Sequence, residues 1–173
     1  LEGDEVIQIG TTFHFYGKRE CFHRHILTLG QTDAFEGTTV ECFQNESDLL
    51  MRWRDLIVQT NPDVITGYNI FGFDFRYLYE RAQELNILDD FSQIGRYKDV
   101  SCRFVDQQLC SSGLGDNFLR YFDMNGRVLI DMMKVIQRDY KLDSSKLDHV
   151  AKVFMGMQKN DVSPQDIFRL HKG

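Results

Sequence analysis

Residues 62–82 read PDVITGYNIFGFDFRYLYERA. The first half is apolar enough for a buried strand, and the second has helical spacing. At the junction stand Gly67, Asn69, Gly72, Phe73 and Asp74. A fixed, ionised carboxylate is a good ligand for a hard cation. In open α/β sheets, ligand sites lie off the carboxyl ends of strands. Asp74 falls in the first turn of the coming helix, whose positive end favours the ionised form. It shares the face of Tyr77 and Arg81, beside the apolar stripe, so the core can hold it while it looks outward. Asn69 can hydrogen-bond a sugar hydroxyl or a phosphate, and Phe73 offers a ring face to a base. The glycines allow a substrate or a neighbouring backbone to come close. The same residues also make an ordinary turn, with Asp74 as a helix-stabilising acid and Asn69 as a turn closer. One carboxylate does not make a metal site, so on residue chemistry alone both readings stand.

Positioning such a turn takes a strand before it, a helix after it and a core beneath. Residues 5–16 alternate Ile7, Ile9, Thr11, Phe13 and Phe15 on one face, the period of a half-buried strand. Gly17 and Lys18 turn the chain, residues 20–29 form the antiparallel partner, and 38–43 a third strand after a loop at 30–37. Asn45 caps a helix in which Glu46 and Asp48 suit the positive end, with Leu49, Leu50, Trp53, Leu56 and Ile57 as its apolar stripe. Asn61-Pro62 ends it. Residues 63–68 read as a buried strand. Residues 73–85 read as a helix with Phe75, Leu78, Tyr79, Ala82 and Leu85 inward. Periodicity is poor over 86–117, where 98–105 is a candidate strand and 106–117 a loop. Asn125-Gly126, between two strand-like runs, is a two-residue hairpin signal. Helices follow at 131–140, from a Ser145/Asp148 capping box with Leu147, Val150, Ala151 and Phe154 inward, and from Ser163-Pro164. Strands first, then strands alternating with helices, predict an α/β domain with a mixed sheet flanked by helices.

Composition bounds the function. At 173 residues, 42% hydrophobic and 27% charged, the chain is one ordinary globular domain. A net charge of −6 argues against a free-standing nucleic-acid binder with a basic face, but not against an enzyme that handles a strand end with metal ions. No apolar run approaches the roughly 18 residues of a membrane span, and the first ten residues lack the pattern of a secretory leader. The start without Met, close to strand-like sequence, reads as a cut in a longer chain. Cys21, Cys42, Cys102 and Cys110 form no C-x-x-C pair, so free thiols in a reducing compartment are expected. Cys21, His23 and His25 share one strand face near Cys42 without a fourth ligand at suitable spacing, so no zinc site is expected. Asp131 is either a further site acid or the cap of the helix after it, with the cap favoured. Met132 and Met133 are core filler. Arg96, Lys98 and Arg103 form a small basic cluster, either a phosphate contact or a solvated loop.

The run DVITGYNIFGFD resembles the second exonuclease motif, N-x-x-x-F-D, of the B-family replicative DNA polymerases, delta-like enzymes and those of large DNA viruses included. EVIQIG is similar to that family's strand after its first motif, and GRVLIDMMKVIQRDYKLDSSKLDHVAKVFMG to its connection towards the third. Order and spacing are kept over nearly the whole chain. The resemblance implies a ribonuclease-H-like exonuclease fold and 3′→5′ proofreading by two-metal phosphodiester hydrolysis with Mg2+. Asp74 matches a catalytic metal ligand, and Asn69 and Phe73 match positions that hold the terminal nucleotides. The Asn125-Gly126 hairpin resembles one placed near the primer–template junction. Implied partners are the single-stranded primer 3′ end of DNA, the rest of a polymerase chain, and a sliding clamp with accessory subunits. The implied location is the nucleus or the site of viral DNA replication, with no membrane.

The first motif, Asp-x-Glu, and the third, Tyr-x-x-x-Asp, have no counterpart here. Glu2 and Asp4 stand in the wrong order, Asp4-Glu5 has no spacer, and Asp166 lacks the preceding Tyr. Residues 1–173 therefore read as a partial exonuclease domain truncated at both ends, expected by itself neither to degrade nor to synthesise DNA and to be marginally stable. The alternative is an exonuclease-like scaffold that has lost catalysis. Intact Asn69 and Asp74 favour the catalytic reading.

Overall fold

The structure is a computed structural model that describes residues 3–111, 115–156 and 169. Strands β1 (Gln8–His14) and β2 (Cys21–Leu29) pair antiparallel, and β3 (Thr39–Phe43) lies parallel to β2. Helix α1 (Glu46–Thr60) leads to β4 (Val64–Gly67), then α2 (Asp74–Glu84) and the short α3 (Leu88–Phe91). Strands β5 (Phe104–Ser111) and β6 (Gly115–Phe122) pair antiparallel. Strand β7 (Val128–Asp131) runs parallel to β4, and α4 (Met132–Asp139) and α5 (Leu147–Met155) follow. The architecture is mixed α/β, as expected. The described strands form three separate small sheets, where the sequence predicts one. Strands β1 and β4 each pair along one edge only among the described residues.

The helical stripes are where the periodicity puts them. Leu49, Leu50, Trp53, Leu56 and Ile57 of α1 are buried, and so are Phe75, Leu78 and Ala82 of α2. All of these but Leu56 meet Phe91, Ile94, Phe122 and Met124 in one core. The aromatic centre is packed edge to face, with Phe122 at 5.5 Å from Phe91 and 5.2 Å from Phe104. Asn45 Oδ1 accepts the Asp48 N–H at 2.9 Å, the expected cap.

Several expectations need correction. Asn125-Gly126 is not a hairpin, because β6 pairs with β5 and β7 with β4. It is a turn between two sheets, with Gly126 at φ 81 and the Arg127 N–H donated to Met124 O at 3.0 Å. What redirects the chain is Arg127, buried and bound to Asn61 Oδ1 at 2.9 Å and Pro62 O at 2.8 Å, at the foot of β4. The hairpin is formed instead by β5 and β6, with a ladder from Phe104↔Phe122 to Ser111↔Gly115, and much of it lies in the polar stretch 106–117 read as loop. The strand at 63–68 is half-exposed rather than buried, since Val64 turns outward. The capping box before α5 does not form: its N-cap is Lys146, without a side-chain bond, and Ser145 is engaged by Tyr68 and Gln137. Val150 and Ala151 are buried, but Leu147 and Phe154 are exposed. The helix expected from Ser163-Pro164 lies outside the described residues.

The least expected element is charged. Glu46, expected to suit the positive end of α1, is buried, and its partner Arg81 is 1% exposed. Arg81 Nε and Nη2 donate to Glu46 Oε1 and Oε2 at 2.8 and 2.5 Å. Glu46 Oε1 also accepts the Val6 N–H at 2.8 Å, and Arg81 Nη1 donates to Gly3 O at 3.1 Å. The bidentate geometry is the strong form of this contact. Removing one partner strands a buried charge, which costs about 3–5 kcal/mol. Arg81→Ala is expected to lower the unfolding free energy by about that amount in denaturant titration. The double change Glu46→Leu/Arg81→Met is expected to recover much of it. A loss of under 1 kcal/mol in Arg81→Ala would show that water reaches and solvates the Glu46 carboxylate.

Candidate active site

The site begins where β4 ends. The parallel register Val64↔Val128 to Gly67↔Asp131 brings the last residue of β7 beside the point where the chain leaves β4. Asn69 then takes a left-handed conformation, φ 62. L-residues avoid this region, and Asn tolerates it better than most. Its carbonyl accepts the Gly72 and Phe73 N–H groups at 3.1 and 3.0 Å, and the Phe75 N–H donated to Ile70 O at 3.1 Å begins α2.

The two glycines are required by space. Neither has a positive φ. A Cβ on Gly72 would lie 2.2 Å from Asn69 Oδ1, so the carboxamide of Asn69 lies across Gly72. A Cβ on Gly67 would lie 2.5 Å from Ile70 Cγ2, and Ile70 packs against the core. The aromatic residues then divide. Phe71 packs inward on Tyr121, 5.1 Å between ring centres, while Phe73 is 59% exposed and stacks on Tyr77 at 5.5 Å.

Asp74 is the first residue of α2 and stays exposed. The positive end of a helix was expected to favour its ionised form. Its carboxyl is nevertheless held above the ordinary range, chiefly by loss of water around it and further by the negative charge of Asp131. A hydrogen bond from its own backbone offsets part of this. Asp131 is 2% exposed. It caps α4 as expected, accepting the Met133 N–H on Oδ1 at 2.9 Å. It also accepts the N–H of Asn69 on Oδ1 at 2.8 Å and that of Phe71 on Oδ2 at 3.0 Å. The sequence gives no sign of these two contacts, which span 62 and 60 positions and depend on the β4–β7 register.

Asn69, Phe73 and Asp74 are thus brought together on one strand-to-helix turn. The basic cluster is not part of it. Arg96 sits at the opposite end of β4, bound to Asp63 Oδ1 at 2.7 Å and Asn61 Oδ1 at 3.0 Å. Lys98 and Arg103 are exposed on the connection to β5. Among the described residues, no hydrogen bond or ion pair joins these three to the turn.

The Cys21, His23, His25 and Cys42 group forms a chain of polar contacts. His23 Nε2 lies 3.3 Å from His25 Nδ1, and His25 Nε2 lies 2.7 Å from Glu41 Oε1. Glu41 is bound in turn by Arg52, whose hydrogen bond holds the Glu41 carboxyl below its usual range. The Cys21 thiol donates to His23 O, and Thr28 Oγ1 to Cys42 Sγ. Among the described residues, no cluster of three or more His, Cys, Asp or Glu is arranged to hold a metal ion. No described helix is long and apolar enough to cross a membrane.

In this mixed α/β domain the polar turn with its open carboxylate stands off the carboxyl end of a parallel strand pair, where ligand sites of open α/β sheets lie. The comparison with known proteins makes the class specific. Residues 1–150 match the family model described as DNA polymerase family B, exonuclease domain, and the chain belongs to that family. It is 44% identical over 155 residues to a DNA polymerase of Pyramimonas orientalis virus, covering 90% of this chain and 13% of that protein. It is 38% identical over 170 residues to the DNA polymerase delta catalytic subunit of Oryza sativa subsp. japonica, covering 98% of this chain and 15% of that one. DNA polymerase 120R of Invertebrate iridescent virus 3 is 38% identical over 172 residues, with 98% and 15% covered. The chain therefore spans a small part of the length of these relatives.

The packing of the glycines predicts a graded response. Gly67→Ala presses on a core side chain and is expected to cost about 1–3 kcal/mol in thermal or chemical unfolding. Gly72→Ala has only to push aside the Asn69 carboxamide, so its stability loss should be the smaller of the two. The reverse order would mean that Asn69, rather than Ile70, anchors the turn.

Proposed function

We propose that this chain is part of a 3′→5′ proofreading exonuclease region of ribonuclease-H-like fold in a delta-like DNA polymerase. The turn from Asn69 to Asp74 receives the single-stranded primer 3′ end. The observation that supports this best is the convergence of Asn69, Phe73 and Asp74 on one turn, with the Asp74 carboxylate open and a second buried negative charge behind it.

Each side chain has a role in keeping with its chemistry. The exposed ring of Phe73, backed by Tyr77, gives a terminal base a face to stack on. The Asn69 carboxamide, held across Gly72, offers a donor and an acceptor to a sugar hydroxyl or phosphate. Asp74 suits a hard divalent cation such as Mg2+: it is an oxygen ligand whose charge is raised in energy by a neighbouring carboxylate. Two such ions, when bound, supply an activated water and stabilise the leaving oxygen. Among the described residues no cluster of three or more His, Cys, Asp or Glu is arranged to hold a metal ion, so the companions of Asp74 in this reading come from outside them. Lys98 and Arg103 remain candidates for contact with DNA beyond the turn. Arg96 is the weaker candidate, being already held by Asp63. The partners that accompany this reading are DNA, the remaining polymerase chain, and a sliding clamp or accessory subunits. The place of action is the nucleus or the site of viral DNA replication. The second reading, an exonuclease-like scaffold, draws on the lack of a metal-binding cluster among the described residues.

Asp74→Ala in the full-length protein separates the two. Loss of a charge that holds a metal ion removes several kcal/mol of transition-state stabilisation. Primer-end hydrolysis should therefore fall by about 100- to 10,000-fold, with nucleotide addition unchanged. Equal loss of both activities would make Asp74 a structural acid. A wild-type protein without exonuclease activity would favour the scaffold.

A further inference from the structure

We infer that Asp131 is the positioning residue of the Asn69–Asp74 turn, a buried carboxylate that fixes the turn through its backbone and does not itself ligate metal. The inference rests on the proposed function for its consequence, but its geometry stands apart from it. A helix cap needs one oxygen and one N–H in its own first turn. Asp131 exceeds that. Oδ1 is shared between Met133 and Asn69, and Oδ2 is given to Phe71. A carboxylate offers about four lone-pair positions, and three here are occupied by backbone donors on a residue 2% exposed. Little is left to face a ligand. What remains is hold on the turn: Asn69 is kept left-handed by a bond to its own N–H, and Phe71 is kept inward, which turns Phe73 and Asp74 outward. The Arg120 N–H, donated to Phe71 O at 3.1 Å, ties the same turn to β6 from the other side.

The test is hydrogen–deuterium exchange on the full-length protein, comparing wild type with Asp131→Asn and Asp131→Ala, beside primer-end hydrolysis and nucleotide addition. Asp131→Asn keeps one oxygen for Met133 and Asn69 but sets an NH2 group against the Phe71 N–H. It should speed exchange at residues 68–73 and leave residues 132–139 protected. Asp131→Ala should release both segments. Partners that orient a metal ligand are worth about 10- to 100-fold in activity. Hydrolysis by Asp131→Asn should fall within that range, with a raised Mg2+ requirement and unchanged nucleotide addition, which also reports that the protein is folded. Faster exchange confined to 132–139 in both variants, with hydrolysis unchanged, would reduce Asp131 to a helix cap and overturn the inference. If the wild type lacks hydrolysis altogether, the proposed function fails, and exchange at 68–73 still decides the positioning role.

Discussion

The buried pair of Glu46 and Arg81 is the constraint on which the rest of the structure depends. Two charges in a core are tolerated only when their hydrogen-bonding capacity is met. Here that condition recruits three separate segments. Glu46 begins α1, Arg81 lies in α2, and the pair also binds the backbone at Val6 and Gly3. Shifting α2 along its axis would break a bidentate contact that water cannot easily replace. Arg81 is seven residues from Asp74, about two helical turns. The ion pair therefore fixes the body of the helix whose first residue is the candidate ligand.

Two further buried charges do the same at the ends of β4. Arg127 gathers Asn61, Pro62, Ile94 and Gly95 at its start. Burial of Arg127, together with the charge of Arg96, pulls its pKa below the usual arginine value, a sign of how far its cation is removed from water. At the other end stands Asp131. A four-residue strand with one paired edge has little ladder energy of its own. Its position is set by polar groups that must be satisfied, and turning out of it is set likewise. Hydrophobic packing then fills the space so defined.

This division explains what could be read from the residues beforehand. Apolar stripes are periodic and local, so α1, α2, β1 and β2 were predictable nearly to their ends. The N-x-x-x-F-D turn was readable because its residues are adjacent in sequence. Glu46 and Asp131 look like routine helix-start acids because the local signal for a cap is the same whether the carboxylate faces water or the core. Their true partners, Arg81 and the Asn69 backbone, are 35 and 62 positions away. The β5–β6 hairpin was missed because its polar residues break the alternation that marks a half-buried strand. Asn125-Gly126 was misassigned because a turn signal fixes only the turn and not which strands it joins.

Asp74 also stands between two uses, a helix-stabilising acid and a metal ligand. An acid placed in a first helical turn for stability gains from the dipole, and its carboxyl should sit below the ordinary range. Asp74 sits above it, pushed by lost water and by Asp131. Its ionised form is thus less favourable in the fold than in the unfolded chain. As pH rises through the unfolded value towards the folded one, Asp74 therefore subtracts from stability. Lost water and the charge of Asp131 thus work against the ionised form that the helix dipole favours. Under the proposed function, a cation bound there would reverse the sign of both contributions, taking the place of the lost water and turning the neighbouring negative charge into an attraction. An acid whose ionised form lowers stability fits the pattern in which local rules are broken at functional positions, in keeping with the proposed role of Asp74.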